Sequence, residues 1–298
     1  MRSLFENSST LRWLFTAREV RRETARLRNA AATAGVSVYS PPELQVALPS
    51  KPEASVFFIL GSGSSVNELT EKHFSIITSH RSVGINYWAA HPFIPDFYAL
   101  ENVSTVGDGN DFDRCLRLLS APRHLQAQSP VLILRTVNSD AHRSLRRFRR
   151  VSSAKVFFYG RITPLTKKLH NLLQEIPRIH KMLDRQAGEL VVDSGASVVR
   201  MIGIARRMGF RNIVLVGVEL DNTRYFWEGE KFGGAPGAMP VNNQRAATHE
   251  SNSLRNRPFR AQDMVLALHE SLQKEGVTLS LALETGVFSG RLPTYAWE

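Results

Sequence analysis

The chain has 298 residues, 43% of them hydrophobic, which is enough for one large α/β domain with an appendage or for two modest domains. Its single cysteine, Cys115, excludes an internal disulfide framework and a multi-cysteine zinc site, and this predicts a reducing compartment. A net charge of +11 indicates an anionic partner: a nucleic acid, an anionic lipid surface or a phosphorylated or acidic substrate.

Residues 1–50 are predicted to form a basic helical extension. Thr10 is a suitable N-cap, apolar residues then recur at helical spacing, and Gly35 is placed to end the helix. The helix either binds a membrane surface or another partner, or packs on the rest of the protein with its basic face in solvent. Four prolines then mark a stiff connection: Pro41, Pro42, Pro49 and Pro52.

Membrane insertion and secretion are not predicted. No run approaches the roughly 20 apolar residues of a membrane span, and the N-terminus, with Glu6, lacks the layout of a secretory signal. We therefore expect a cytoplasmic protein, which is peripheral at the inner face of the cytoplasmic membrane if its basic surface binds anionic lipid.

The run 55–67, SVFFILGSGSSVN, is the most informative part of the sequence. The apolar residues 56–60 predict a strand buried on both faces, and Gly61 and Gly63 permit a tight turn after it. Bare N–H groups and a following helix N-terminus would suit a phosphate or another nucleotide oxyanion. The turn is neither a GxGxxG fingerprint nor a P-loop, so a turn without a ligand is the alternative. Three serines add hydroxyls: Ser62, Ser64 and Ser65.

From Ser55 onward, β-rich runs alternate with helical patterns. This alternation predicts an α/β fold with a single Rossmann-like, doubly wound, mainly parallel sheet that binds ligands at the carboxyl ends of its strands. The stretch RSLRRFRR at 143–150 is predicted to be a solvated loop face or a contact with anionic lipid or a phosphorylated acceptor. The predicted strands are 55–60, 81–86, 94–100, 130–135, 155–159, 212–217 and 277–283.

A second polar turn follows further along the chain. Ser194 and Gly195, next to Asp193, begin a predicted helix and form a second cradle for an anion. Glu219 and Asp221 leave the strand 212–217 at the edge where the first turn is expected to lie. The alternative is that these side chains only cap a helix or bind the neighbouring loop.

A long loop separates this strand from the last predicted helix, 253–276. Residues 228–247 are dense in glycine, alanine, proline and asparagine, which predicts a flexible lid at about 222–249. His249 lies just after the lid and is a candidate general base, because its imidazole titrates near neutral pH. A surface or capping histidine is the alternative. Asp111 and Asp113 resemble a metal-binding DxD, but helix capping explains them better, and no metal site is predicted.

In this order the motifs resemble those of the bacterial sialyltransferases of glycosyltransferase family 42, which use CMP-activated sialic acid. ILGSGSS at 59–65 corresponds to the family's G-N-G-P-S turn, and VGINY at 83–87 has its strand-ending asparagine. The motifs that follow in the same order are Ser194–Gly195, the strand NIVLVGVEL with its acidic exit, the lid and Thr248–His249. The similarity covers roughly residues 55–290. It implies a GT-A-variant fold in which 51–298 form the catalytic domain.

The resemblance also implies roles for individual residues. Ser194 and Gly195 would hold the phosphate or the donor sugar's carboxylate. His249 would take a proton from the acceptor hydroxyl, which attacks opposite CMP and inverts the anomeric configuration. Where the family has tyrosines, this chain has Leu220 and Asp221, with Tyr225 nearby. The implied nucleotide-binding residues are Gly61, Gly63, Ser65, Asn86, Gly217 and Glu219.

The function predicted from this resemblance is an inverting, metal-independent glycosyltransferase without a cofactor. It would transfer sialic acid, Kdo or a related nonulosonate from a CMP-linked donor to a cell-surface glycan or glycolipid, as in lipopolysaccharide or polysaccharide biosynthesis. One alternative is a metal-dependent pyrophosphokinase or another nucleotide-binding enzyme. The other is a nucleic-acid-binding protein, disfavoured because aromatic residues do not interleave the arginines. The sequence leaves open whether the chain forms a homo-oligomer.

Overall fold

The structure of the protein is a computed structural model. It describes residues 8–52, 54–101, 111–127, 131–135, 139–193, 195–221, 224–229, 252, 254 and 259–298. Within these ranges, nine strands form one sheet. The strands are β1 Ser37–Val38, β2 Val56–Leu60, β3 Arg81–Ile85, β4 Phe97–Leu100, β5 Val131–Arg135, β6 Lys155–Ile162, β7 Leu190–Val192, β8 Asn212–Val216 and β9 Thr278–Leu281.

Helices flank this sheet, and in the described part of the chain four short 3₁₀ helices lie between its strands or after the last one. The α-helices of the described residues are α1 Ser9–Ala34, α2 Pro41–Ala47, α3 Glu71–Ser79, α4 Asp111–Leu119, α5 Pro122–Ala127, α6 Ser139–Val151, α7 Leu169–Gln186, α8 Ser197–Arg207 and α9 Ala261–Gln273. The 3₁₀ helices are Ser64–Glu68, Asn86–Ala90, Phe226–Glu228 and Gly286–Phe288. None of the described helices is long and apolar enough to cross a membrane.

The strand order is β1-β6-β5-β4-β3-β2-β8-β9, with β7 pairing to β6 beside β1, and every strand pair is parallel. The prediction of a single doubly wound, mainly parallel sheet is therefore confirmed. From β2 the chain proceeds outward through β3 to β6 and later returns to add β8 and β9 on the other side. The topological switch point lies between β2 and β8, where open α/β sheets bind ligands.

Seven predicted strands are present with shifted ends, and two further strands were not predicted. β6 continues to Ile162, three residues beyond the predicted end, whereas β4 starts only at Phe97. The unpredicted strands, β1 and β7, have two and three residues. Runs this short contain too few residues to show an alternating pattern.

The core surrounds the central strands. All five residues of β2 are buried, which agrees with its continuous apolar sequence. The N-terminal segment is integrated into the same core, because α1 packs on β6 and β1 pairs with β6. Val20, Leu27 and Ala31 of α1 are each at most 2% exposed. The helix therefore packs on the core along this face.

The arginine-rich run 143–150 belongs to helix α6 rather than to a loop. Leu145 and Phe148 are buried, whereas Arg146, Arg147, Arg149 and Arg150 are exposed. Two apolar residues three positions apart share one face of a helix, so four arginines fit on the remaining surface. The loop prediction is wrong here. The high arginine content favoured a loop, although the two apolar residues have the spacing of a helix.

Candidate functional site

A cavity of about 250 Å³ lies at the switch point, over the carboxyl ends of β2, β3 and β8. Its walls come from the turns that follow these strands and from the start of α8. Several of the residues predicted from the sequence meet here although they are far apart in the chain. Those that line the cavity are Gly61, Ser62, Gly63, Asn86, Gly217, Glu219 and Tyr225.

The glycine turn after β2 is packed directly on the exit of β8. The N–H of Gly61 donates to the carbonyl of Val216 at 2.7 Å, and the N–H of Gly63 donates to the carbonyl of Gly217 at 2.9 Å. A Cβ added to Gly61 would lie 2.4 Å from the carbonyl oxygen of Gly217. Glycine at this position is therefore required by the close approach of two backbone segments.

Glu219 fills the space inside this turn. Its Oε1 accepts hydrogen bonds from the main-chain N–H of Ser65, at 3.2 Å, and from the Ser65 hydroxyl. A Cβ on Gly63 would lie 1.5 Å from Glu219 Oε2, so the second glycine makes room for the carboxylate. Burial raises the pKa of Glu219, and the two hydrogen bonds from Ser65 oppose this rise.

These contacts correct the predicted phosphate cradle in two respects. The N–H groups of Gly61, Gly63 and Ser65 donate within the chain, so they are not the bare donors that the sequence suggested. The element after the turn is the 3₁₀ helix Ser64–Glu68, and α3 begins only at Glu71. A single short 3₁₀ turn supplies less dipole than an α-helix. The donor-binding roles of these residues stay predictions.

Asn86 begins the 3₁₀ helix that follows β3. Its φ of 48° lies in the left-handed region, which asparagine tolerates better than most residues. Its Oδ1 accepts from the N–H of Glu101 at 3.0 Å, and its Nδ2 donates to Ser197 Oγ at 3.4 Å. Asn86 thereby joins the ends of β3 and β4 to the first turn of α8 at the cavity wall.

A buried ionic network supports this wall. Arg200 of α8 is fully buried; its Nη1 is 2.5 Å from Asp193 Oδ1, and its Nη2 forms an ion pair with Glu101. Ser197 also donates to Glu101, and both of these residues line the cavity. Asp193 pairs further with Arg161 at 2.8 Å.

Sequence reasoning missed Glu101, Ser197 and Arg200. Two signals were present in the sequence. Glu101 directly follows a predicted strand, as Asn86 and Glu219 do, and Arg200 interrupts the apolar run of a helix that is otherwise buried. A cation in such a run requires a buried acidic partner.

The second polar turn lies beside the network. The N–H of Gly195 donates to Asp193 Oδ1 at 2.6 Å, and Gly195 has a φ of 94°, which favours glycine. Ser194 itself lies outside the described residues. Asp193 therefore orients this turn from within the chain, and the role of Gly195 in binding a donor stays a prediction.

Aromatic side chains form another part of the cavity wall, where Tyr87 and Tyr225 line it. Tyr225 stacks on Trp227 with ring centroids 4.4 Å apart, and Tyr87 lies 5.5 Å from Trp227 on a tilted plane. Tyr225 also bridges to Gly63, and Arg224 lines the cavity beside it. Residues 224–229 were included in the predicted lid, but Phe226 and Trp227 are almost fully buried. This part of the prediction is wrong, because the segment is an anchored wall of the site.

The other predicted site residues are placed as follows. Ser64 begins the 3₁₀ helix after the glycine turn, and Asp221 is exposed just beyond the exit of β8; neither lines the cavity. His249 and the lid residues 222–223 and 230–249 lie outside the described residues. The predicted final helix, 253–276, begins as α9 only at Ala261.

Across the described part of the chain, no group of three or more histidine, cysteine, aspartate or glutamate residues is arranged to hold a metal ion. Asp111 and Asp113 lie at the start of α4, as the capping interpretation expects. Cys115, one turn further along this helix, is buried and lines the cavity.

Two buried histidines brace the turn that carries Asn86. His91 stacks on Trp88 and its Nδ1 accepts from the N–H of Phe93 at 3.0 Å, while His124 Nε2 lies 3.0 Å from the carbonyl of Ala89. Burial, reinforced by the nearby charge of Arg123, lowers the pKa of His91 to about 3 and that of His124 to about 4.

These shifts predict a loss of stability in acid. An unfolded histidine binds its proton near pH 6.5, but the folded one does not, so stability is constant above pH 6.5 and falls from there toward pH 4. Between pH 7 and pH 5 we expect a loss of about 1 to 2 kcal/mol per histidine in urea unfolding. His91→Gln should reduce this loss, whereas the exposed control His170→Gln should not. If His91→Gln and His170→Gln lost the same stability between pH 7 and pH 5, the assignment of this acid sensitivity to His91 would be contradicted.

Comparison with known proteins adds the following. No protein-family model matches the sequence, and no curated protein matches it. Among solved structures, the MAf glycosyltransferase from Magnetospirillum magneticum AMB-1 is similar at a TM-score of 0.50 and 16% identity over 88% of this chain. The chain spans about a third, 35%, of the length of that protein.

Weaker similarity links the chain to the sialyltransferase CstII from Campylobacter jejuni, solved in complex with cytidine-5′-monophosphate. The TM-score is 0.44 at 10% identity, and the alignment covers 84% of this chain and 87% of CstII. The similarity to the MAf structure shows an α/β fold of the same kind. Activity and donor have to be argued from the cavity itself.

Proposed function

We propose that the chain is a glycosyltransferase that binds a CMP-activated acidic sugar in the cavity at the switch point. It transfers sialic acid, Kdo or a related nonulosonate, with inversion and without a metal ion, to a glycan or glycolipid acceptor. The proposal rests on one observation: the cavity presents backbone and a carboxylate at one end, aromatic rings along one wall and a cation beside them.

Glu219 supports cytosine as the base. Cytosine presents an amino group at its C4 position, whereas uracil presents a carbonyl oxygen there, and a glutamate carboxylate accepts a hydrogen bond only from the amino group. Glu219 lines the cavity, and only its Oε1 is engaged by Ser65. In this proposal its Oε2 accepts the hydrogen bond from the cytosine amino group.

Arg224 and the hydroxyl of Ser62 are the groups that suit the phosphate. A CMP leaving group has a single phosphate, so a guanidinium and a few hydrogen-bond donors can stabilise its developing charge without a divalent ion. Both residues line the cavity, and Glu101, which also lines it, is paired with Arg200. Tyr225 lies beside Arg224 and supplies a hydroxyl to the same region.

His249 completes the proposed chemistry as the general base. It would take the proton from the acceptor hydroxyl while that oxygen attacks the anomeric carbon, and the bond to CMP breaks on the opposite face. This role follows from the resemblance of Thr248–His249 to the corresponding motif of the sialyltransferases.

The test measures hydrolysis or transfer of CMP-sialic acid and of CMP-Kdo through the release of CMP. We expect turnover that persists in EDTA and falls at least about 100-fold in His249→Ala, because general base catalysis contributes roughly that factor. The control His170→Ala changes an exposed histidine on α7 and should retain activity.

Two results would contradict the proposal. One is turnover that EDTA abolishes and ATP supports, which would indicate the metal-dependent pyrophosphokinase. The other is the same rate for His249→Ala and the wild type, which would remove the general base.

A further inference from the structure

An apolar patch is exposed at the start of α1 and in the β6–α7 connection. Trp13, Leu14 and Phe15 are 41%, 59% and 38% exposed, and Leu165 and Leu169 are 41% and 50% exposed. The two groups are close together, because Arg12 Nε is 2.6 Å from Glu175 Oε1 and Glu175 also accepts from the backbone of Leu165. We call these five residues the tip patch.

The tip patch lies at the same edge of the sheet as the cavity. Leu27 of α1 packs beside Gly160 of β6, and α1 ends at Ala34, just before β1 joins β6 at Phe157. The helix therefore runs antiparallel to the strands, and its first turns extend beyond their carboxyl ends. β6 is four strands from β2, so the patch and the cavity are separated laterally by roughly 19 Å.

Positive charge surrounds the tip patch. Arg18, Arg21 and Arg22 follow on the exposed surface of α1, and Lys167 and Lys168 precede α7; all five are exposed. In the segments 8–23 and 161–172, the carboxylates are Glu19 and Glu23, which lie 2.5 Å and 3.8 Å from Arg22. The rim of the patch is therefore strongly cationic, although Arg12 at its base is neutralised by Glu175.

We propose that the tip patch inserts into an anionic lipid surface and turns the carboxyl edge of the sheet, with the cavity, toward the membrane. Trp13, Leu14 and Phe15 are consecutive, so they project about 100° apart around the helix. A bilayer interface can surround such a tip, whereas the surface of a protein partner covers one face. Tryptophan favours the headgroup region, and each basic residue near an anionic surface adds about 1 kcal/mol.

The test is cosedimentation of the full chain with vesicles of phosphatidylcholine alone and of phosphatidylcholine mixed with phosphatidylglycerol. We expect binding to the mixed vesicles and at least about tenfold weaker partitioning for Leu14→Glu, because a charge then replaces an inserted apolar side chain. Val46→Glu is the matched control, because it introduces the same charge at another exposed apolar residue. Val46 is 84% exposed in α2 and lies near the residues that precede β8, away from the tip patch. Leu14→Ala should show an intermediate loss of binding, and it keeps the test valid if Leu14→Glu misfolds.

Each other outcome overturns the proposal. Absence of wild-type binding to the mixed vesicles removes it, and equal loss in Val46→Glu would show that net charge alone is responsible. Equal binding to vesicles of phosphatidylcholine alone would show that the patch does not require anionic lipid. A dimer that Leu14→Glu dissociates, without vesicle binding, would assign the patch to a second copy of the chain. The assay contains no nucleotide, so its result is independent of the proposed transferase activity.

Discussion

Replacing Arg200 with methionine is expected to lower the free energy of unfolding by about 3 kcal/mol or more, as measured by urea denaturation. Methionine fills much of the same volume, but it leaves Asp193 and Glu101 without the cation between them. Asp193 is fully buried, and its remaining charged partner is Arg161. A buried carboxylate that loses a partner bears an uncompensated desolvation cost, which is why the expected effect is large.

Two comparisons separate this cost from a general effect of removing an arginine. Arg22→Met breaks a pair with Glu19 in which the arginine side chain is 68% exposed, and it should change stability by at most about 0.5 kcal/mol. Adding Glu101→Gln to Arg200→Met should recover part of the loss, since one orphaned charge is removed. Similar destabilisation by Arg22→Met and Arg200→Met would contradict the network.

Gly61→Ala is expected to cost about 2 kcal/mol of stability and to abolish the response to CMP. The added methyl group would lie 2.4 Å from the carbonyl oxygen of Gly217 and 2.9 Å from Val218. Because the obstacle includes backbone, the turn has to move away from β8, and this movement reshapes the cavity that both segments line. Thermal unfolding with and without CMP measures both effects.

Gly203→Ala is the matched control, since Gly203 lies inside α8 and a Cβ there would be 3.5 Å from Val191, an ordinary contact. Alanine favours a helix over glycine by up to about 1 kcal/mol, so this variant should be as stable as the wild type or more stable, with its CMP response intact. A Gly61→Ala variant that still responds to CMP would show that the nucleotide binds elsewhere.

The parts of the fold that the sequence predicted are those with long, uniform patterns. The five apolar residues 56–60 suit a strand buried on both faces, and the alternation of such runs with helical spacing predicts the parallel sheet. The turns after β2, β3 and β8 were located for the same reason, because each directly follows a recognisable strand. Glu219 is thus predicted at this edge from the strand pattern, whereas the site roles of Asn86 and Gly217 are implied by the resemblance alone.

What the sequence could not predict is how the polar groups at that edge pair with one another. Residues 65 and 219 are far apart in the chain, and nothing local indicates that the Glu219 carboxylate would take the N–H of Ser65. The same holds for Arg200, whose partners come from the end of β4 and from the turn before α8. Such pairings depend on the three-dimensional order of the strands rather than on any spacing along the chain.

The most direct test of the central claim is a calorimetric titration of the wild-type chain with CMP and with UMP, which differ only in the base. We expect CMP to bind at least about tenfold more tightly, because one misplaced base-edge contact costs about 1 to 3 kcal/mol. Glu219→Gln should reduce this preference, since its amide can also donate. Equal affinity for CMP and UMP, or no binding of either, would contradict the assignment of the cavity to a cytidine nucleotide.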